Sequence, residues 1–145
     1  EGSSSRLFLA IREKLGITYQ INSFLNSYND TSAFGIYFST NQNQYARVIE
    51  IIFKEFKRLK EIPISERELK KVKEYLKGGM LLSLESTTNR MMRMANSILY
   101  YDKVFSVEEY LAKIDKITIE DVQKAANDLL NESKLIKVIL KSDTK

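Results

Sequence analysis

Two side chains at one corner of the chain are equipped for chemistry. In residues 11–21, IREKLGITYQI, a guanidinium at Arg12 and a phenol at Tyr19 stand seven residues apart, on either side of Gly16. Together they offer a fixed positive charge and several hydrogen-bond donors. The period changes between them. Ile11–Leu15 suit the end of a helix, Gly16 suits its stop, and Ile17, Tyr19 and Ile21 alternate like a strand. Spacing alone favours a plain reading of both groups. An arginine in a last helical turn complements the helix dipole and pairs with a nearby acid. A strand tyrosine is ordinarily half-buried packing.

Other chemistry is excluded by what the chain lacks. It has no histidine and no cysteine. The usual His- or Cys-containing zinc site is therefore impossible, as are Ser–His and Cys–His nucleophile pairs. The 19 acidic residues include no D-x-[DN]-x-[DN]-G calcium loop, and Gly78-Gly79 is not followed by a GK[ST] phosphate signature. The net charge of +4 raises the question of nucleic acid. Yet the lysines and arginines between Lys54 and Lys77 alternate with Glu55, Glu61, Glu66, Glu68 and Glu74, as on solvated helix faces with i,i+4 pairs. No aromatic-interleaved basic groove is visible, so no nucleic-acid partner is expected.

At 145 residues the chain suits one domain, 1–145, and its 43% hydrophobic and 29% charged content suits a soluble globular one. No apolar run reaches the ~20 residues of a membrane span, and no secretory leader pattern is visible. The absence of cysteine fits reducing and oxidising compartments alike, so localisation stays open.

The elements that must position the corner follow from periodicity and caps. A helix is expected over 4–14, with Leu7, Phe8 and Ile11 on one face, then strands over 18–27 and 32–40 as an antiparallel hairpin. A helix over 41–60 carries Tyr45, Val48, Ile49, Ile52, Phe56 and Leu59 as its stripe. Ser65 opens a capping box for a helix over 65–85, in which Leu69, Val72, Leu76 and Met80 face inward. Gly78-Gly79 inside that pattern suggests close packing against another backbone. A helix over 87–101 puts Met91, Met94, Ala95 and Ile98 on an apolar face read as adaptable core. Ser106 caps a helix over 106–115, and Thr118 caps one over 119–130 that buries Val122, Ala125, Ala126 and Leu129. A closing strand is expected over 134–140. The fold class is α+β, an antiparallel sheet covered by helices. Three strands are few for so many helices, so the domain is expected to lack its first strand and helix, leaving a bare sheet edge. Such an edge makes a homo-oligomer of the isolated fragment an expectation.

The stretch SSRLFLAIREKLGITYQINSF closely resembles the SSRLFxEIREKxGLAYxV signature in the C-terminal half of pitrilysin/insulinase-type metallopeptidases, which include the mitochondrial processing peptidases. The later segments AFGIYFST, YLKGGMLLSLESTTNRMMRMA and KITIEDVQKAANDLL agree in order and spacing, so the likeness runs through almost the whole chain. Leu9 stands where the family often has glutamine or glutamate, and Ile17-Thr18 replaces the commoner Leu-Ala.

This resemblance implies two homologous α+β halves enclosing a chamber, with zinc on an H-x-x-E-H motif of the other half. Without histidine, this chain resembles the non-zinc partner half of a metalloendopeptidase cleaving peptides or presequences, inactive alone and with no metal site. The zinc-bearing half, in the same chain or a partner subunit, and a peptide substrate are the implied partners. By motif match, Arg12 and Tyr19 are the arginine and tyrosine that such a half lends to the site across the chamber, contacting substrate and the developing oxyanion. Arg6 and Arg90 match recurrent positions and are read as structural. A catalytically inactive scaffold of the same fold is the alternative.

Overall fold

The computed structural model describes residues 4–141. Along them run a π-helix, Phe8–Glu13, the strands β1 (Thr18–Ser27) and β2 (Ser32–Thr40), and five α-helices. These are α1 (Tyr45–Glu61), α2 (Glu66–Ser83), α3 (Thr87–Tyr101), α4 (Val107–Asp115) and α5 (Ile119–Leu129), followed by a 3-10 turn, Glu132–Lys134. The chain falls into two compact units, one made of the residues up to Ile62 with those from Ala125 onward, the other of Pro63–Lys124.

The first unit holds the hairpin and the core. β1 and β2 pair antiparallel, with Ile21 opposite Phe38, Ser23 opposite Ile36 and Leu25 opposite Phe34. The Tyr28 N–H donates to the Thr31 carbonyl at 2.9 Å and closes the turn. Gly35 has a steric reason. The Phe24 ring lies so close that an added Cβ would come within 2.4 Å of it. On α1 the buried residues are Val48, Ile52 and Phe56, one side chain per turn on a single face. They pack with Ile11, Ile21, Ala126 and Leu130 into one cluster. Full burial of an aliphatic or aromatic side chain contributes about 1.5–3 kcal/mol, so this cluster is the unit's main source of stability.

Two expectations shift here. α1 begins at Tyr45 rather than 41, because residues 41–44 form a turn closed by the Gln44 N–H on the Asn41 carbonyl at 2.9 Å. The closing strand over 134–140 is not formed: the sheet has two strands, and residues 135–140 run without a ladder. A strand exists only by pairing, and no described strand lies beside this segment. Leu135 packs against the core and the Lys137 ammonium lies 5.6 Å from the Phe53 ring centre, whereas Ile136, Val138 and Leu140 are 90%, 85% and 98% exposed. The period-2 pattern is real, but nothing described here covers its outer half.

The second unit is built on helix ends. Ser65 accepts from the Glu68 N–H at 3.2 Å and Ser86 from the Asn89 N–H at 3.3 Å. Ser106 and Glu109 form a complete capping box. Thr118 and Asp121 cap each other likewise, Thr118 Oγ1 accepting at 3.2 Å and Asp121 Oδ2 at 2.9 Å. α2 is fastened to α4 at Asp115, whose carbonyl accepts from Lys73 Nζ at 2.7 Å and whose carboxylate meets Lys77 Nζ at 2.5 Å. The hydrogen bond to Asp115 raises the Lys77 amine above its ordinary pKa. Basic residues of α1 and α2 pair with glutamates on their own helices, as Arg58–Glu55 at 3.8 Å and Lys77–Glu74 at 3.5 Å, the pattern of solvated faces.

Burial in this unit is thinner than periodicity implies. α2 buries no residue, and Ser97 is the buried residue of α3 while Met91, Met94 and Ile98 stand exposed. The expected methionine core is therefore absent among the described residues. An amphipathic stripe states which face is apolar, not whether another element covers it. Gly78 and Gly79 have open space where a Cβ would project, so close packing does not account for them. In the part of α5 that belongs to the first unit, Ala126 is buried as expected, but Leu130 just beyond the helix is buried in place of Leu129.

Candidate functional site

The corner expected to carry chemistry is shaped by three local irregularities. The first is the helix itself, which is a π-helix over Phe8–Glu13 with a Lys14 N–H to Leu9 carbonyl bond of 3.1 Å. Such wide turns are rare and cluster at functional sites. Ile11, wholly buried, pins this helix to the core and leaves Arg12 in its last turn exposed.

The second irregularity is Gly16, at φ +61°, whose N–H donates to the Arg12 carbonyl at 3.0 Å. This left-handed stop, open to glycine at little cost, turns the chain from helix into strand.

The third is a β-bulge. Thr18 pairs with Thr40, but Gln20 pairs with Ser39, so Tyr19 is an extra residue with no partner of its own on β2. Bulges re-aim side chains and recur beside active sites. Tyr19 is 76% exposed, which removes the expectation of half-buried packing. Its neighbour Thr18 is buried, with Oγ1 lacking a hydrogen-bond partner. From the end of β2, Thr40 Oγ1 donates to the Ile17 carbonyl.

Arg12 and Tyr19 thus stand on one corner, both open to solvent, and no hydrogen bond or ring contact joins their side chains. Arg12 forms no ion pair among the described residues, and its guanidinium lies 4.9 Å from the centre of the Phe8 ring. Arg12 keeps the last-turn place that complements the helix dipole, without an acid partner among the described residues. Arg6 is different: its guanidinium approaches the sheltered Glu55 carboxylate on α1 at 3.7 Å, a structural contact. Arg90 lines a shallow apolar hollow on α3 with Met91, Met94 and Ala95.

Neither the bulge nor the Thr40 hydrogen bond has a signal in hydrophobic periodicity. Gly16 and the change of period around it mark the corner in the sequence. As for metal, the sequence has no histidine or cysteine, and no group of three potential ligands forms among the described residues. The histidine and cysteine donors of the usual zinc site are not present in this chain.

Comparison with known proteins adds a family frame. Residues 1–76 match the family described as "Peptidase M16 inactive domain". The chain is 34% identical over 136 residues to a Bacillus subtilis (strain 168) protein named "Uncharacterized zinc protease YmxG", a match covering 94% of this chain and 33% of that protein. It is 31% identical over 140 residues to mitochondrial-processing peptidase subunit beta of Saccharomyces cerevisiae, covering 95% and 30% respectively. Among solved structures, a protease from Helicobacter pylori superposes with a TM-score of 0.81 at 23% identity over 92% of this chain and 32% of that one. A chain of complex III2 from Candida albicans does so with a TM-score of 0.76 at 25% identity, over 86% and 30%. The chain spans about a third of the length of the curated relatives it matches.

Proposed function

Since the chain belongs to the peptidase M16 family through its inactive domain, we propose that it is the non-zinc half of a zinc metalloendopeptidase that cleaves peptides or presequences in a closed chamber. The observation that carries this reading is the Arg12–Tyr19 corner: a bulged, solvent-exposed phenol and a guanidinium without a carboxylate partner among the described residues, both held by backbone geometry. Zinc belongs to the homologous half, in the same chain or a second subunit, and this segment alone hydrolyses nothing.

The work of this half is to bind and to stabilise. The Tyr19 hydroxyl donates to the carbonyl oxygen of the scissile peptide, where negative charge grows as the bond breaks. The Arg12 guanidinium offers a planar fork to the substrate backbone and adds positive charge beside that oxygen. A donor that meets charge only in the transition state acts on kcat, and one that also grips the ground state acts on KM as well.

The test is kinetic, in the peptidase assembled with its zinc half. Tyr19→Phe should cut kcat by about 10²–10³, the usual cost of losing one oxyanion donor, with KM little changed. Arg12→Ala should impair both terms. Neither should lower the melting temperature, because both side chains are exposed. Near-normal turnover of Tyr19→Phe, or lost activity that tracks a lowered melting temperature, would sink the reading. The likeness to a complex III2 chain favours a second reading, a non-catalytic scaffold of the same fold. That reading has no use for the paired donors, and it is what an unaffected Tyr19→Phe variant would leave standing.

A further inference from the structure

We propose that Thr40 is a positioning residue for the Arg12–Tyr19 corner, a role that rests on the peptidase reading above and deepens it. Thr40 holds the start of β1 twice. Its backbone pairs with Thr18, and its Oγ1 reaches one residue further back to donate to the Ile17 carbonyl. The next residue along β1 is the bulged Tyr19, which has no partner of its own in the ladder. A bulged residue is only as fixed as the residues on either side of it. On the far side the hold is Gln20 opposite Ser39. On the near side stands Thr18, whose own hydroxyl has no partner, so it contributes no side-chain hydrogen bond of its own. The Thr40 hydroxyl is the side-chain tie at that end.

It also spans the helix-to-strand corner. The Ile17 N–H bonds back to the Ile11 carbonyl at 3.4 Å, and the Gly16 N–H to the Arg12 carbonyl at 3.0 Å. Ile17 is therefore gripped on its N–H side by the π-helix that carries Arg12 and on its carbonyl side by β2. Thr40 closes the link that fixes Arg12's helix and Tyr19's bulge relative to each other. Threonine suits this, since its β-branched side chain is stiff at χ1 and holds the hydroxyl in place.

Two variants separate the hydroxyl from the shape. Thr40→Val keeps the branched outline and removes the donor; Thr40→Ser keeps the donor. In the assembled peptidase, Thr40→Val should lower kcat by about tenfold to a hundredfold, the scale of a small misplacement, with KM nearly unchanged. Thr40→Ser should restore most of it. Combined with Tyr19→Phe, Thr40→Val should cost much less than it does alone, because the phenol hydroxyl it positions is already gone and only its hold on the Arg12 side is left to lose. Amide hydrogen exchange on the same samples should rise several-fold at residues 17–20 in Thr40→Val, and stay unchanged at 22–25 in the middle of the hairpin. Unchanged exchange at the corner overturns the proposal whatever Tyr19→Phe does. Faster exchange with normal kcat, in an enzyme that Tyr19→Phe does impair, overturns it too. Faster exchange in an enzyme indifferent to Tyr19→Phe upholds the tie and instead removes the role given to Tyr19.

Discussion

The Arg12 guanidinium lies 4.9 Å from the centre of the Phe8 ring, which sits four residues earlier and opens the same π-helix. An aromatic face attracts a cation by about 0.5–1 kcal/mol at an exposed site, and it does so without consuming hydrogen-bond donors. A carboxylate partner would have occupied those donors. Phe8 therefore restrains the arginine while leaving its planar fork available, which a surface salt bridge would not do. Donors left free in this way are what the substrate contact proposed for Arg12 requires.

Gly16 is required by its backbone and not by its surroundings. Its φ is +61°, and an added Cβ would meet nothing within 4 Å. Gly16→Ala should thus cost about 1–2 kcal/mol, the strain of a left-handed alanine, with Gly16→Asn costing less. Urea unfolding of both variants checks this. An alanine variant as stable as the parent would mean that the corner had relaxed out of the left-handed conformation.

Thr18 leads to the opposite expectation. Its side chain is buried and Oγ1 has no hydrogen-bond partner among the described residues. A buried, unmet hydroxyl carries a desolvation cost, so Thr18→Val should leave stability unchanged or raise it by up to about 1 kcal/mol. Thermal melting of the two forms decides the point. A clear loss of stability would show that the hydroxyl is satisfied in solution.

On α2, glycines occupy two interior helical positions with no neighbour to exclude a side chain. Gly78→Ala and Gly79→Ala should each stabilise the helix by about 0.8–1 kcal/mol. A higher urea midpoint for each variant is the expected result. Destabilisation would mean that another backbone approaches this face in solution, the explanation that helical periodicity first suggested.

Glu109 supplies a pH signature. Its carboxylate accepts from Lys103 Nζ at 2.8 Å and from the Ser106 N–H at 2.8 Å, and these bonds, the lysine's first, hold its pKa below the usual carboxylate value. A lowered folded-state pKa means that the contribution is fully present above the ordinary value of about 4.3 and is lost as pH falls through the folded one. The start of α4 should therefore loosen only in acid. The NMR midpoint of the Glu109 carboxyl should lie below that of an exposed glutamate and move upward in Lys103→Ala. A midpoint at or above the ordinary value would contradict the capping geometry.

Much of this molecule could be read from its residues because the relevant forces are local. Both strands follow from alternation and a polar turn, with the bounds expected, and the caps at Ser65, Ser106 and Thr118 follow from side chains that reach three residues along the chain. Arg12 and Tyr19 can be picked out by the motif around Gly16, and the role proposed for them rests on the family likeness, not on spacing. Tertiary structure decided what depends on partners. Whether 135–140 forms a strand depends on a neighbouring strand, and whether Met91 and Met94 are core depends on an element laid over them; periodicity carries neither fact. The bulge at Tyr19 is decided in the same way. It arises from the offset between Thr18–Thr40 and Gln20–Ser39, a relation between two strands that neither strand's own sequence contains. Residue types fixed which chemistry this corner could offer, and only the pairing of β1 with β2 decided that the phenol would stand clear of the sheet.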